Sequence, residues 1–443
     1  MSSPRFPVAR RSSWALAAFS TLLAMAGAAP AGASPGTGLL SGGSLLGLHV
    51  DLGCANPANR LSLGRLLPAI RVVAGGTLRC FSQAIAAGAG EGPKVTPGPT
   101  GLGPGQIQSA YKLLGLHANG RTVAVVDAYN DPNAESDLAT YRSAYGLPAC
   151  ASANHCLTKV NQAGAPAPLP SGDAGWGAEI SLDLDAVSAA CPDCHIVLVE
   201  ANSAGTADLM SAERTAAALP GVAAVTNSWG GAEDNTILGL DGNFNHPGLA
   251  ITASSGDSGY GVSWPASSQY VTGVGGTSLT TAASGRGWSE TAWSGGGSGC
   301  SAFEPQLAWQ PHVAGCDKRT VADVSADADP NTGLAVYDTY ASCGSGFLCD
   351  LLLQLGLAQG LNGWAQIGGT SLSAPLVAAT FALAGNSGGV GGLTYGYSYH
   401  HQTALFDVTS GSNGTCTPPY LCTAGTGYDG PTGLGTPNGT GAF

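Results

Sequence analysis

The stretch "IGGTSLSAP" (367–375) sets Ser371 among glycines and small residues, with Pro375 close behind. The glycines let the backbone turn tightly and approach a ligand, and the proline fits the first turn of a helix, where its missing N–H costs little. A serine there faces helix N–H groups aimed at developing negative charge, the setting of a nucleophile. An ordinary capping serine would need neither the glycines nor the proline. Its hydroxyl is a poor nucleophile until a neighbour takes the proton, commonly a histidine held by an aspartate. Histidines stand at 49, 117, 155, 195, 246, 312, 400 and 401, and none lies in an H-G-T or H-G-S context opening a helix. Another base is available. In "AEISLDLDAVSAA" (178–190), Glu179 and Asp183 are four residues apart and share one helix face. Two close carboxyls cannot comfortably both ionise, so they share a proton, one acting as base and the other orienting it, at a pH below that of a histidine enzyme. The plainer alternative, a solvated acidic face, fits poorly with the apolar neighbours Ile180, Leu182, Leu184 and Val187. Asp185 falls on another side of the helix.

These residues need a scaffold, and the pattern around them alternates. Strands are expected over 121–129, 195–201, 222–230, 249–256 and 270–279, and helices over 132–146, 178–190, 206–219 and 371–385. Strands alternating with helices define an α/β fold with a doubly wound, mostly parallel sheet and helices on both faces. Sites in such sheets lie beyond the C-terminal strand ends, where Asp127, Trp229 and Asp257 stand.

The ordered set "GAEISLDLD" (177–185), "SWGGAE" (228–233), "SSGDSG" (254–259), "WPASSQYVTGVGGT" (264–277), "DVSADADPNTG" (323–333) and "GGTSLSAP" (368–375) resembles the sedolisin, or serine-carboxyl, peptidases, acid-acting relatives of the subtilisins. The similarity runs from about residue 104 to the C-terminus and implies a subtilisin-like fold. It also implies that Glu179 takes the proton of Ser371, that Asp183 supports Glu179, and that Asp257 is the oxyanion aspartate. At low pH a protonated Asp257 can donate to the oxyanion beside the Ser371 N–H. Asp127 stands where the family often extends the proton relay, and Trp229 is similar to a site-wall tryptophan. The order "FDVTSG" (406–411), then "GTGYDGPTGLG" (425–435), is similar to the family's calcium site. It implies Asp407 and Asp429 as carboxylate ligands with carbonyls from Val408, Gly425 and Gly427, hard oxygen donors suited to that ion.

The chain has 443 residues, a net charge of −12 and only 10% charged residues. That surface argues against nucleic acid, whose phosphates want Lys and Arg, and suits acidic surroundings. Residues 1–33 read as a signal peptide, with Arg5, Arg10 and Arg11 before an apolar run and "AGA" before Ser34. Residues 34–98 read as a short leader or propeptide and 99–443 as the peptidase-like domain, with the breaker-dense "GEGPKVTPGPTGLGPG" (90–105) as a linker across that boundary. Twelve cysteines fall into six neighbouring couples, 54/80, 150/156, 191/194, 300/316, 343/349 and 416/422, which in an exported chain read as disulfides. The apolar insertion 342–364 is either a lip on the substrate cleft or an extra helix packed on the domain. The expectation is therefore a secreted monomeric endopeptidase acting on proteins or peptides, with no nucleic acid and no membrane contact once the signal is gone. An inactive, calcium-stabilised binding protein on the same scaffold is the alternative from another class. A histidine-based subtilisin is third and lacks a histidine motif.

Overall fold

The computed structural model describes residues 49–52, 77–87, 92–310, 315–344, 346–355, 359–385 and 397–443; the signal segment and Cys54 lie outside them. Three short strands come first, β1 (His49–Asp51), β2 (Arg79–Cys80) and β3 (Gln83–Ile85), followed by α1 (Pro104–Ala110). The alternation then begins: β4 (Thr122–Ala128), α2 (Ala134–Ala144), β5 (Leu157–Asn161), α3 (Ala174–Ala190), β6 (His195–Ala201), α4 (Thr206–Ala218), β7 (Val222–Asn227), β8 (Trp229–Ala232), the single turn α5 (Ile237–Leu240) and β9 (Ala250–Ser254). Shorter strands follow, β10 (Ser263–Trp264), β11 (Thr272–Thr281), β12 (Trp288–Ala292), β13 (Gly299–Pro305), β14 (Lys318–Val321), β15 (Val324–Asp327) and β16 (Leu334–Asp338). The insertion helix α6 (Phe347–Gln354), β17 (Gly363–Gly368) and α7 (Thr370–Ala384) complete the part that builds the site.

The central sheet has the order β12-β11-β9-β7-β4-β6-β5, with β15 also paired to β11. All its pairings are parallel except β11 with β12. This is the doubly wound α/β architecture expected from the alternation. The strand sequence explains why both faces are covered. In β4, Val123 and Val125 join one core with α3 and α7, while Ala124, Val126 and Ala128 join another with Leu209, Met210 and Ala212 of α4. An apolar strand with a period of two and no polar face must be buried on both sides.

Two expected boundaries move, for identifiable reasons. Helix α3 starts at Ala174 because the Asp173 carboxylate caps it, accepting from Gly175 N and Trp176 N at 3.1 Å each. The run 222–230 breaks at Ser228, where the chain leaves the central sheet and β8 pairs instead with β10 and β2. Pro375 is also deeper in α7 than the first turn. Lacking an N–H, it leaves the Ser371 carbonyl without its helical donor. The five disulfides Cys150–Cys156, Cys191–Cys194, Cys300–Cys316, Cys343–Cys349 and Cys416–Cys422 join the neighbours paired from sequence. Cys80 is disulfide-bonded as well.

Candidate active site

Helix α3 is buried along its whole length, Glu179 and Asp183 included. It packs against α7, whose first turn carries Ser371, also fully buried. Asp127 near the end of β4, and Ser228 and Asp257 just after β7 and β9, stand at the same edge of the sheet. The structure thus gathers Ser371, Glu179, Asp183, Asp127 and Asp257 in one place. Asp185 points elsewhere, accepting from the Tyr337 N–H at 3.1 Å.

The carboxyls are buried. Neither oxygen of Glu179 or of Asp127 has a hydrogen-bond partner within ordinary distance. Burial pushes the Glu179 carboxyl well above its usual range, and the nearby Asp127 charge adds to this. The Ser371 and Ser82 hydroxyls are close enough to pull it partly back. Asp183 is raised for the same reason, burial first and then Asp127 and Glu179, and the Ser228 hydroxyl opposes the shift. Asp127 is pushed up to about 8 by burial and by Glu200. One buried cluster therefore keeps protons that exposed carboxyls would lose.

Ser228 was not singled out by sequence. Its hydroxyl lies 2.7 Å from Asp183 Oδ1 and 3.3 Å from the Ser371 carbonyl oxygen, the acceptor that Pro375 leaves free. It ties the second carboxyl of α3 to the serine turn of α7. The "NSWGG" context gave only a strand end. Trp229 is fully buried, its indole donates to the Val126 carbonyl at 2.7 Å, and its backbone in β8 pairs with Cys80 of the strand lying in the cleft.

Asp257 Oδ1 accepts from both the N–H and the hydroxyl of Thr370 at 2.8 Å. Gly369 has φ +94°, and a side chain there would strike the Asp257 carboxylate and the Phe81 carbonyl. The serine turn needs glycine for both reasons. Among the described residues no histidine takes part in the hydrogen bonds of Ser371. His49, on β1, lines a cavity beside Asp257.

Residues of the expected leader occupy the cleft. β2 pairs antiparallel with β8, and β3 pairs antiparallel with β17 and with β1. Between β2 and β3, the Phe81 N–H donates to Ser371 Oγ at 3.0 Å and to the Ser228 carbonyl at 3.3 Å. The Phe81 carbonyl accepts the Ser371 N–H at 3.2 Å. The Ser371 hydroxyl turns to the Ser228 carbonyl at 3.1 Å.

Near the C-terminus, Asp407 Oδ2 accepts from Gly427 N and Asp429 Oδ2 from Gly425 N, each at 2.9 Å. The loop 425–429 therefore folds back on Asp407. Asp429 is pushed up to about 7 by burial, against hydrogen bonds from the Gly425 and Thr432 N–H groups and the Thr432 hydroxyl, and Asp407 adds to the rise. Two carboxylates that accept from N–H groups of the same glycine-rich loop and repel each other fit a hard cation that would relieve that repulsion. A separate buried trio, Asp131, Asp137 and Asp338, has ligand atoms within 4.8 Å of one another. Each member already accepts from nearby N–H groups, Asn133, Thr339, and Tyr340 with Leu361 respectively. The sequence did not single it out, because its members come from three separate elements.

Ser371 thus stands in a subtilisin-like sheet beside buried carboxyls, with no histidine among the described residues in its hydrogen bonds, the pattern of a serine-carboxyl peptidase. The chain is 30% identical over 379 residues to kumamolisin of Bacillus sp. (strain MN-32), covering 77% of this chain and 63% of that protein. It is 33% identical over 219 residues to sedolisin of Pseudomonas sp. (strain 101), covering 43% of this chain and 33% of that one. A solved Pseudomonas sedolisin, a serine-carboxyl proteinase complexed with two molecules of pseudo-iodotyrostatin, superposes with a TM-score of 0.60 at 26% identity, covering 77% of this chain and 96% of that one. No family model matches. The chain belongs to the sedolisin family. It spans less than two thirds of the length of the curated relatives it matches.

Proposed function

We propose that this protein is a secreted, acid-acting endopeptidase that hydrolyses protein and peptide substrates. The observation that carries the reading is the buried Glu179–Asp183 pair on α3 packed against the serine turn of α7. Ser371 Oγ attacks the carbonyl carbon and Glu179 takes its proton, with Asp183 and Ser228 holding the pair in place. The oxyanion forms beside the Ser371 N–H, where a protonated Asp257 donates a second hydrogen bond. Glu179 returns the proton to the leaving amine, and water repeats the sequence on the acyl-enzyme. The rate is bounded on both sides. Glu179 must lose its proton to act as base, and Asp257 must keep its own.

Five disulfides support export to an oxidising compartment. Among the described residues no helix is long and apolar enough to cross a membrane. Asp407 and Asp429, with carbonyls from Val408, Gly425 and Gly427, would hold calcium, which would pin the end of the domain and take no part in the chemistry. The test is digestion of a denatured protein from pH 3 to 8 by the purified protein, Ser371→Ala and Glu179→Gln. Acid cleavage lost in both variants is expected. No cleavage at any pH leaves a binding protein. Cleavage near neutrality that survives Glu179→Gln points to a histidine base.

A further inference from the structure

Glu213 is a buried acid that the proposed chemistry does not use. It lies on α4, across the central sheet from α3 and Ser371, on the face that packs Leu209, Met210 and Ala216 against the sheet. It is fully buried, and neither of its oxygens has a hydrogen-bond partner within ordinary distance. Asn227, the last residue of β7, faces it and is also fully buried. Two residues after Val225, Asn227 shares the face of β7 that packs on α4. Its Nδ2 donates to the Thr252 carbonyl of β9 at 3.3 Å, and a carbonyl can only accept, so the amide's orientation is fixed. Oδ1 is left without a donor. A protonated Glu213 supplies that donor. An ionised one sets lone pairs against lone pairs, and flipping the amide to satisfy it would break the bond to Thr252. Burial pushes the Glu213 carboxyl up to about 8, with the Asn227 side chain opposing the rise. Among the described residues no charged side chain faces Glu213 from the strands, which present Ala124, Val126, Val197, Val199 and Val225. On α4 itself Arg214 turns to Asn243 and Asp208 to Gln162, and Asp241, on the turn packed against α4, holds the Trp264 indole.

The residue after Asn227 is Ser228, where the chain leaves the central sheet. Its hydroxyl reaches Asp183 and the Ser371 carbonyl, and its own carbonyl accepts the Ser371 hydroxyl. The far end of the amide bridge also leads to the serine helix, because the Thr252 hydroxyl donates to the Ala374 carbonyl of α7 at 3.2 Å. We propose that Glu213 is a positioning residue for the reaction: its neutral carboxyl donates to Asn227 Oδ1, and the locked amide fixes the end of β7 so that Ser228 stays on Asp183 and on the serine turn. The inference rests on the peptidase reading above. The lock holds while Glu213 keeps its proton. Its folded-state value lies above the unfolded one, so its contribution is full below about pH 4 and is lost as pH rises through about 8.

The purified protein is compared with Glu213→Gln, Glu213→Leu and the double variant Glu213→Leu, Asn227→Leu for kcat and KM on a peptide substrate at acid pH and for melting temperature. A glutamine amide can donate to Asn227 Oδ1 as the neutral acid does, so Glu213→Gln should keep kcat within about twofold. Glu213→Leu strands Oδ1 and should lower kcat roughly tenfold with KM nearly unchanged. The double variant removes both polar groups and should regain the melting temperature but not kcat, because the bond to Thr252 is gone. Hydrogen exchange of the segment 225–230 reads the lock without substrate. At about pH 8.5 the wild type should exchange faster than Glu213→Gln, and at about pH 5 the two should agree. Equal exchange at the higher pH, or a kcat that returns with the melting temperature in the double variant, overturns the inference and leaves the peptidase reading standing. A wild type that cleaves nothing at any pH overturns the peptidase reading, and the catalytic role of the lock with it.

Discussion

The Ser228 hydroxyl touches both halves of the proposed machinery, 2.7 Å from Asp183 and 3.3 Å from the carbonyl of Ser371. Its hydrogen bond favours the charged form of Asp183, against the burial that raises it. Removing it lets the pair hold its proton to higher pH. Ser228→Ala should therefore move the acid limb of the kcat/KM profile upward and lower the maximum roughly tenfold, measured on a peptide substrate from pH 2 to 7. A merely structural role would lower the profile without moving the limb. Ser371, Glu179 and Asp183 were readable because their spacing is local: a glycine turn for one, an i,i+4 interval for the others. Ser228 was not. Its partners lie 45 and 143 residues away, and nothing in "NSWGG" announces them. The bond from the Trp229 indole to the Val126 carbonyl was unreadable for the same reason.

At the scale of elements, α3 is the support on which the chemistry depends. It carries both acids of the proposed pair, Glu179 and Asp183, and its start is set by the Asp173 cap. Asp173→Ala should cost about 1 kcal/mol of stability, seen as a lower melting temperature, with loss of activity exceeding loss of fold because the frayed turn lies upstream of Glu179. The insertion was legible as a feature and not as a role. It forms α6, whose Cys349 and Leu353 pack in a small cluster with Ala341. The alternating strands were legible because period-two apolar runs have few other uses. The path of β2 and β3 was not, because short Gly- and Ala-flanked segments carry no periodicity and their partners are distant.

For the whole molecule, the buried acids set a pH dependence. Burial raises Asp127, Glu213 and Glu304 to about 8, and Asp131 and Glu200 to about 7. A folded-state value above the unfolded one means that the native state binds more protons between the two, so stability is full below about pH 4 and is lost as pH rises toward 8. Calorimetry at fixed calcium should give a higher melting temperature at pH 4 than at pH 8. The net charge of −12 acts in the same direction, since carboxylate repulsion fades with protonation. Chelation is a separate lever. EDTA near neutral pH should lower the melting temperature, with full recovery on adding calcium and a smaller response in Asp407→Asn.

Strand β3 is hydrogen-bonded along both edges, to β1 on one side and to β17 on the other. The open edge on that side of the sheet is therefore β1, only three residues long, and an edge that short gives another chain little backbone to pair with.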